Sequence, residues 1–458
     1  MEDMKNGKRS SFSGKLGYVL AAAGASVGLG NIWRFPYLAA KYGGGIFLII
    51  YIVLALTFGY TMIVAETAIG RMTRKSPVGA FKSFGKKKWL SFGGWINAVI
   101  PVLIVPYYSV IGGWVIKYLV EYFRGNAKQL AEDGYFTDFI SNGVSTELCF
   151  MAFCAFTLII IFAGVQNGIE RVSKIMMPIL IVLSVIIAVY SVTRPGALAG
   201  VKYFLVPNVK NFSWMTVVSA MGQMFYSLSI AMGILITFGS YMKKDTAIED
   251  STRNVEVFDT GIAIMAGLMI IPAVFAFSGG DPNTLQAGPS LMFITIPKVF
   301  QNMGFGTVIG IVFFLLVLFA AVTSSIALTE SAVSTFEDEL GWGRKKATVL
   351  VGVIMLALGS LSSLGYGPLA GIKIIGMQFL DLFDFLTNSV MMPIAALLTS
   401  LFVSRVVGID KIEAEIIHGE SAFRRKKVFV VMIKYLCPVF AIIILLSSVA
   451  NALGWIKM

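Results

Sequence analysis

Between Gly24 and Pro36 the chain reads GASVGLGNIWRFP, placing an amide (Asn31) and a full charge (Arg34) inside an otherwise apolar stretch. Polar groups at such a position are costly in hydrocarbon and ordinarily face a water-filled path. A glycine loop that cradles phosphate would need a preceding strand, and lipid-length apolar sequence flanks this run instead. Tight helix packing suits Gly24 and Gly28, a small-xxx-small pair, but leaves Asn31 and Arg34 without a purpose. Local unwinding at Gly28–Gly30 would free N–H groups for an anion and carbonyls for a cation. A zwitterion accompanied by a small cation needs both in one place.

Other residues offer matching chemistry. Thr323, Ser324 and Ser325 are three consecutive hydroxyls in an apolar run. They either bond back to the preceding turn or, with nearby carbonyls, make a hard-oxygen site for a cation. Asp259 lies in a short polar break and reads as a cation ligand whose charge balances the ion without chloride. Glu66 reads as a packing or ion-pair residue supporting the unwound part of the Gly24–Pro36 run. Tyr107 and Tyr108 are interfacial aromatics or, from their depth in a long apolar run, place one phenol in a cavity. Cys149, Cys154 and Cys437 form no disulfide or metal spacing. His418 is the single histidine and sits in a polar loop, so no nucleophile–base or metal constellation for an enzyme is legible.

These groups need elements to hold them. Hydrophobic residues make up 57% of 458 and charged residues only 14%, against about 25% charged in soluble domains. With about 20 apolar residues per crossing, the expectation is an all-α polytopic membrane protein. Eleven spans are read at about 16–38, 43–70, 89–122, 147–164, 172–192, 214–241, 255–277, 305–335, 347–364, 369–403 and 428–455. The net charge of +12 does not indicate nucleic acid, because the basic residues sit in short loops between spans. Arg71 to Lys88, Arg171 with Lys174, Lys243–Lys244, Arg344 to Lys346 and Arg424 to Lys427 fall on one side, together with Lys5, Lys8 and Arg9. By the positive-inside rule that side is cytoplasmic, with the N-terminus inside and the C-terminus outside. No cleaved signal segment is expected. External loops are read at about 124–146 and 194–213, and a possible lid at about 278–304.

Span 6 carries Ser227 to Gly233 at its middle, five spans after the Gly24–Asn31 run of span 1. Two interrupted segments in matching places point to a 5+5 inverted repeat with unwound helices 1 and 6 and a site at mid-membrane. The organisation expected is one transmembrane domain over 1–458. It comprises an N-terminal segment 1–14, a first repeat 15–192, a second repeat 213–403 and helix 11 over 428–456.

GLGNIWRFPY in span 1, the paired tyrosines of span 3, GQMFYSLS in span 6 and TSSIA with FEDEL in span 8 resemble the neurotransmitter:sodium symporters, particularly their bacterial amino-acid branch. The resemblance runs from about residue 12 to the end of the chain. It implies a first sodium ion on the Ser26 carbonyl, Asn31, Ser227 and Asp259, completed by the substrate carboxylate. A second would take the Gly24, Val27 and Ala320 carbonyls with Thr323 and Ser324. The substrate carboxylate would meet Leu29, Gly30 and Tyr108, and its amino group carbonyls of Ser26, Tyr226 and Ser229. Its side chain would rest among Ile104, Tyr226, Ser229, Met232, Ser324 and Leu328. Arg34 with Asp384, capped by Tyr226, resembles an external gate; Arg9 with Asp338, helped by Tyr241, resembles an internal one. The resemblance further implies sodium-driven symport of a small amino acid across the cell (inner) membrane by a monomer or weak homodimer.

The chain departs from the family pattern in places. Asp259 stands where many relatives have Asn, and Ala263 where chloride-dependent ones carry a serine, so chloride independence is expected. Ala231 replaces a glycine of the unwound segment, where a methyl group would trim the pocket or stiffen the break. The apolar lining favours a neutral hydrophobic or aromatic L-amino acid, since a charged side chain would lack a partner. No acid occupies position 25 or 26, which disfavours a monoamine. The rival reading is a transporter-like sensor that binds the amino acid with sodium and carries nothing.

Overall fold

The computed structural model describes residues 9–279, 288–452 and 455. Residues 1–8 with Lys5 and Lys8, part of the expected lid (280–287), and the end of helix 11 lie outside the described residues. Nine described helices are long and apolar enough to cross a membrane, ten with the bent pair Lys15–Ser26 and Gly30–Lys41 counted as one span. The remaining span is span 6, divided into Trp214–Ser227 and Ile234–Tyr241. The chain is thus an almost wholly helical, multi-pass membrane protein. Among the described residues β pairing is limited to two isolated bridges, Gly44 with Pro207 and Ile374 with Met377.

The two breaks have local causes. Val27 turns extended (φ −75°, ψ 93°) ahead of Gly28, and the halves of span 1 diverge by 53°. In span 6, Ser229, Ala231 and Gly233 all take positive φ (53°, 58° and 69°), which no helix can continue through. Irregular backbone survives at membrane depth only where protein or a cavity satisfies it. Here the neighbours are span 3 (Lys88–Phe123), span 7 (Ile248–Ser278) and span 8 (Gly306–Leu340). Close approach to span 8 requires glycine: a Cβ on Gly28 would lie 2.6 Å from Ser324 Oγ, and one on Gly24 3.1 Å from Thr323 Cβ. Small-residue packing and helix unwinding therefore occur together in this run.

Three expectations are corrected. Span 10 begins at Phe379 rather than 369. Residues 365–378, with Gly365, Gly367, Pro368, Gly371 and Gly376, form turns and the Ile374–Met377 bridge. Asp259 is not in a polar break but inside the unbroken helix of span 7. Arg71, read as a loop cation, is fully buried and pairs with Glu415 at 2.7 Å. It also donates to the Thr246 carbonyl, while Arg74 donates to the carbonyls of Ser240 and Met242, both at 2.9 Å. Arg74 thereby caps the C-terminal end of the second half of span 6, where free carbonyls favour cations.

Candidate functional site

Where the breaks of spans 1 and 6 face each other, a chain of buried polar groups runs between them. Asn31 donates from Nδ2 to Asp259 Oδ1 (2.8 Å) and lies 3.0 Å from Ser227 Oγ. Ser227 donates to both Asp259 oxygens, at 2.9 and 3.1 Å, and the Tyr51 hydroxyl donates to Oδ2 at 3.0 Å. Asn31, Tyr51 and Asp259 are each 0% exposed and Ser227 1%. A buried carboxylate with three donors is held as a hard-oxygen centre in low dielectric, suited to a cation. Asn31 also turns its own oxygen to the Gly28 N–H at 3.2 Å, capping the break from within.

The second cluster joins span 8 to span 1. Ser324 Oγ lies 3.2 to 3.4 Å from the carbonyls of Gly24, Ala25 and Val27, which the break releases from the helix ladder. Thr323 bonds back to Phe319 and Ala320 at 3.0 and 3.2 Å. Thr323 thus bonds back to its own helix, as one reading of this run expects, while Ser324 reaches across to carbonyls of span 1. Ala25, Val27, Ala320 and their neighbours supply oxygen donors only, the chemistry of a small hard cation.

Between the clusters is a cavity of about 30 Å³. Ser26, Leu29, Gly30 and Asn31 line it from span 1, Ile104 and Tyr108 from span 3, Tyr226, Ser229 and Met232 from span 6, and Ser324 with Leu328 from span 8. Among the described residues, no charged side chain is in that lining. Tyr108 accepts from the Leu29 N–H at 3.3 Å, so its phenol is the one that enters the cavity. Tyr107 points away and donates to Asp384 at 3.2 Å. Ser229 holds the Ala25 carbonyl at 3.0 Å, tying the two breaks directly.

Tyr226 is the roof. Its ring packs where a Cβ on Gly30 would stand, 2.4 Å away, and Arg34 lies over it at 5.2 Å. Above it opens a vestibule of about 400 Å³ lined by Arg34, Tyr107, Asp384 and Asn388 among others. Arg34 and Asp384 share that vestibule without pairing; Asp384 accepts instead from Asn388 (2.6 Å) and Tyr107. The opposite end is sealed. Arg9 binds both Asp338 oxygens at 2.6 and 2.8 Å, donates to Ser240 and Ser334, and lies 5.1 Å over Tyr241. The Tyr241 hydroxyl donates to Glu330 (2.7 Å), which pairs with Arg344 at 2.6 Å.

Glu66 supports a different break from the one expected. Among the described residues it makes no ion pair; Oε1 accepts from the Ala231 N–H of span 6 at 2.8 Å, and Oε2 has no hydrogen-bond partner there. Ala231 itself is buried but outside the cavity lining, so its methyl acts on the break rather than on the pocket.

Tyr51, Gln223, Glu330 and Arg344 were not assigned from sequence. Tyr51 stands in a wholly apolar run with no polar neighbour to mark it. Gln223, which donates to the Gly30 carbonyl at 3.0 Å, carried a usable signal as an amide within a span.

Two broken helices meeting over a cavity, with a vestibule on one side of it and the Arg9–Asp338 cluster on the other, are the architecture of a secondary transporter. The sequence profile of the sodium:neurotransmitter symporter family matches residues 9–132 and 120–455. The chain is 34% identical over 450 residues to the sodium-dependent transporter YhdH of Bacillus subtilis, covering 97% of this chain and 99% of the relative. It is 32% identical over 460 residues to a sodium-dependent transporter of Haemophilus influenzae, with the same coverage. Human sodium- and chloride-dependent GABA transporter 2 is 26% identical over 467 residues, covering 88% of this chain and 73% of that one. The crystal structure of MhsT in complex with L-phenylalanine superposes with a TM-score of 0.86 at 35% identity, covering 96% of this chain and all of that one. The protein belongs to the sodium:neurotransmitter symporter family, and it is a transporter rather than an enzyme.

Proposed function

We propose that the protein imports a neutral hydrophobic or aromatic L-amino acid together with two sodium ions, independently of chloride, by alternating access. The observation that carries this reading is the Asn31–Ser227–Asp259 centre beside backbone released by two helix breaks. One sodium ion is assigned to Asn31, Ser227, Asp259 and the Ser26 carbonyl with the substrate carboxylate. The other is assigned to the Gly24, Val27 and Ala320 carbonyls with Thr323 and Ser324. The substrate carboxylate is assigned to the Leu29 and Gly30 N–H groups and Tyr108, and its amino group to carbonyls of Ser26, Tyr226 and Ser229.

The uncharged lining with Ile104, Met232 and Leu328 favours an apolar side chain, because a charged one would be buried unpaired. The phenylalanine held by MhsT is of that class. Asp259 already carries the negative charge that chloride would bring, and three donors hold it in place. The open vestibule at Arg34 and the sealed end at Arg9 correspond to an outward-facing state with Tyr226 closed. Arg34 and Asp384 would close the outer gate by moving together, and Arg9, Asp338 and Tyr241 would part to release the cargo. The two repeats, 15–192 and 213–403, supply the moving halves in a cell-membrane protein whose N-terminus is cytoplasmic and C-terminus external.

The driving force is sufficient. One charge crossing about 100 mV gains roughly 2.3 kcal/mol and a tenfold gradient about 1.4 kcal/mol. Two ions therefore supply on the order of 7 kcal/mol, a limit of about 10⁵-fold accumulation.

The test is uptake of labelled leucine, tyrosine, phenylalanine and tryptophan into proteoliposomes under an inward sodium gradient, with chloride or gluconate. Accumulation that requires sodium, ignores the anion and is lost in Asn31→Ala supports the reading. Sodium-dependent binding without accumulation replaces it with a sensor. Indifference to sodium sinks it.

A further inference from the structure

In the vestibule, one side chain serves Asp384 in the place of Arg34. Asp384 and Asn388 stand one turn apart on span 10, where the helix opens into a π-turn over Phe385–Met391, and both line the vestibule with Arg34 and Tyr107. Asn388 donates from Nδ2 to Asp384 Oδ1 at 2.6 Å and lies 3.3 Å from the Tyr107 hydroxyl. That hydroxyl donates to the same Oδ1 at 3.2 Å and lies 3.3 Å from Thr387 Oγ1. The amide's own oxygen is buried with no hydrogen-bond partner among the described residues. What orients the amide is therefore the carboxylate's need for donors, not its own need. Arg34 makes no ion pair with Asp384 and lies instead over the Tyr226 ring at 5.2 Å.

A carboxylate within a span is costly unless donors meet it. With Arg34 away, Asn388 and Tyr107 meet it, and a donor bonded to a carboxylate makes one of the stronger hydrogen bonds. Both bonds fall on one oxygen, about as much as a carboxylate oxygen accepts. An arginine frequently takes both oxygens of a carboxylate side by side. Arg34 can close on Asp384 in that form only if a donor leaves Oδ1. Asn388 is the donor that yields: the Tyr107 hydroxyl is held by Thr387 as well, whereas the amide has the Tyr107 oxygen to turn to. We propose that, with Arg34 and Asp384 as the outer gate, the reading on which this rests, Asn388 is the gate's positioning residue. It keeps Asp384 satisfied without Arg34 and so weights the protein toward the open vestibule. The amide acts only through this competition, because a bond kept in both states would shift neither.

Gly222 lines the same vestibule, and a Cβ there would meet nothing within 4 Å, so Gly222→Cys places a reporter in it. With Cys149, Cys154 and Cys437 replaced, labelling by a membrane-impermeant maleimide is timed on intact cells in sodium medium without amino acid. Asn388→Ala is expected to slow labelling about three- to tenfold, as loss of a hydrogen bond to a charged group implies. Asn388→Gln, which keeps the NH₂, is expected to restore most of the rate. In an Arg34→Ala background Asn388→Ala is expected to change nothing, since no guanidinium remains to compete for Asp384. Slowing that persists in that background marks a merely structural role and overturns the proposal. So does labelling that ignores Asn388→Ala while Arg34→Ala still abolishes sodium-driven phenylalanine uptake. Uptake untouched by Arg34→Ala overturns the gate reading as well.

Discussion

Replacing Asp259 by asparagine removes one negative charge from the centre of the polar chain and changes almost nothing in volume. At about 4 Å and an effective dielectric near 20, a unit charge pair is worth about 4 kcal/mol. Asn31, Ser227 and Tyr51 all donate to the carboxylate. An asparagine turns its NH₂ toward one of these donors, and a hydroxyl must rotate or lose its bond, a further 1–3 kcal/mol at about the usual cost of an unmet buried donor. Part of the Coulomb energy is returned because the neutral site no longer has a buried charge to solvate. The expected net effect is a rise of about 10²-fold in the sodium concentration giving half-maximal uptake, or roughly 2.7 kcal/mol. Because an anion can then stand in for the missing charge, chloride is expected to recover part of the loss in the variant and to do nothing in the parent. Sodium titrations of uptake in proteoliposomes, with chloride or gluconate, measure both. An Asp259→Asn variant with unchanged sodium dependence would refute the assignment of this carboxylate to the cation. A variant that loses sodium affinity and ignores chloride would keep the ligand and refute the charge-substitution argument.

Other perturbations follow from the same geometry. Arg9→Ala removes the Asp338 pair, two hydroxyl contacts and the stacking on Tyr241. At about 1.5–3 kcal/mol for charge-assisted contacts, labelling of a single cysteine at position 22 from the cytoplasmic side is expected to rise at least about tenfold, in a background lacking the native cysteines. Tyr226→Ala unroofs the cavity, so bound amino acid should dissociate about 10–100-fold faster in a filter-binding chase, the loss of a half-buried aromatic, while Tyr226→Phe retains the seal. Glu66→Ala leaves the Ala231 N–H without its acceptor and is expected to destabilise by about 1–3 kcal/mol, read as a lower Tm in detergent; Glu66→Gln keeps an acceptor and most of the stability. Ala231→Gly relieves a left-handed alanine outside the pocket, so uptake rates should change while the ranking of substrates does not. A reordered ranking would place the methyl group in the pocket after all.

Much of this molecule is determined by composition and local pattern. Apolar runs longer than a bilayer leave no alternative to spanning helices. Asn31 stood out because an amide beside clustered glycines is costly within a span; Ser227 was assigned to a sodium ion only through the family resemblance. What remained was decided by neighbours distant in the chain. Tyr51 is a buried tyrosine like several others until span 7 places Asp259 3.0 Å from its hydroxyl. Glu66 could have supported either break; the fold put the Ala231 N–H of span 6 in front of it. Arg71 sits in a run of basic residues and looked solvated, yet Glu415, 344 residues away, draws it into the core. Arg34 and Asp384 were paired by resemblance; they line one vestibule without an ion pair, and Asp384 accepts from Asn388 and Tyr107 instead. Local pattern tells which groups cannot face lipid; only the packing of spans 1, 2, 6, 7 and 8 tells which group satisfies which, since partners at a bonding distance of about 3 Å are set by how helices cross.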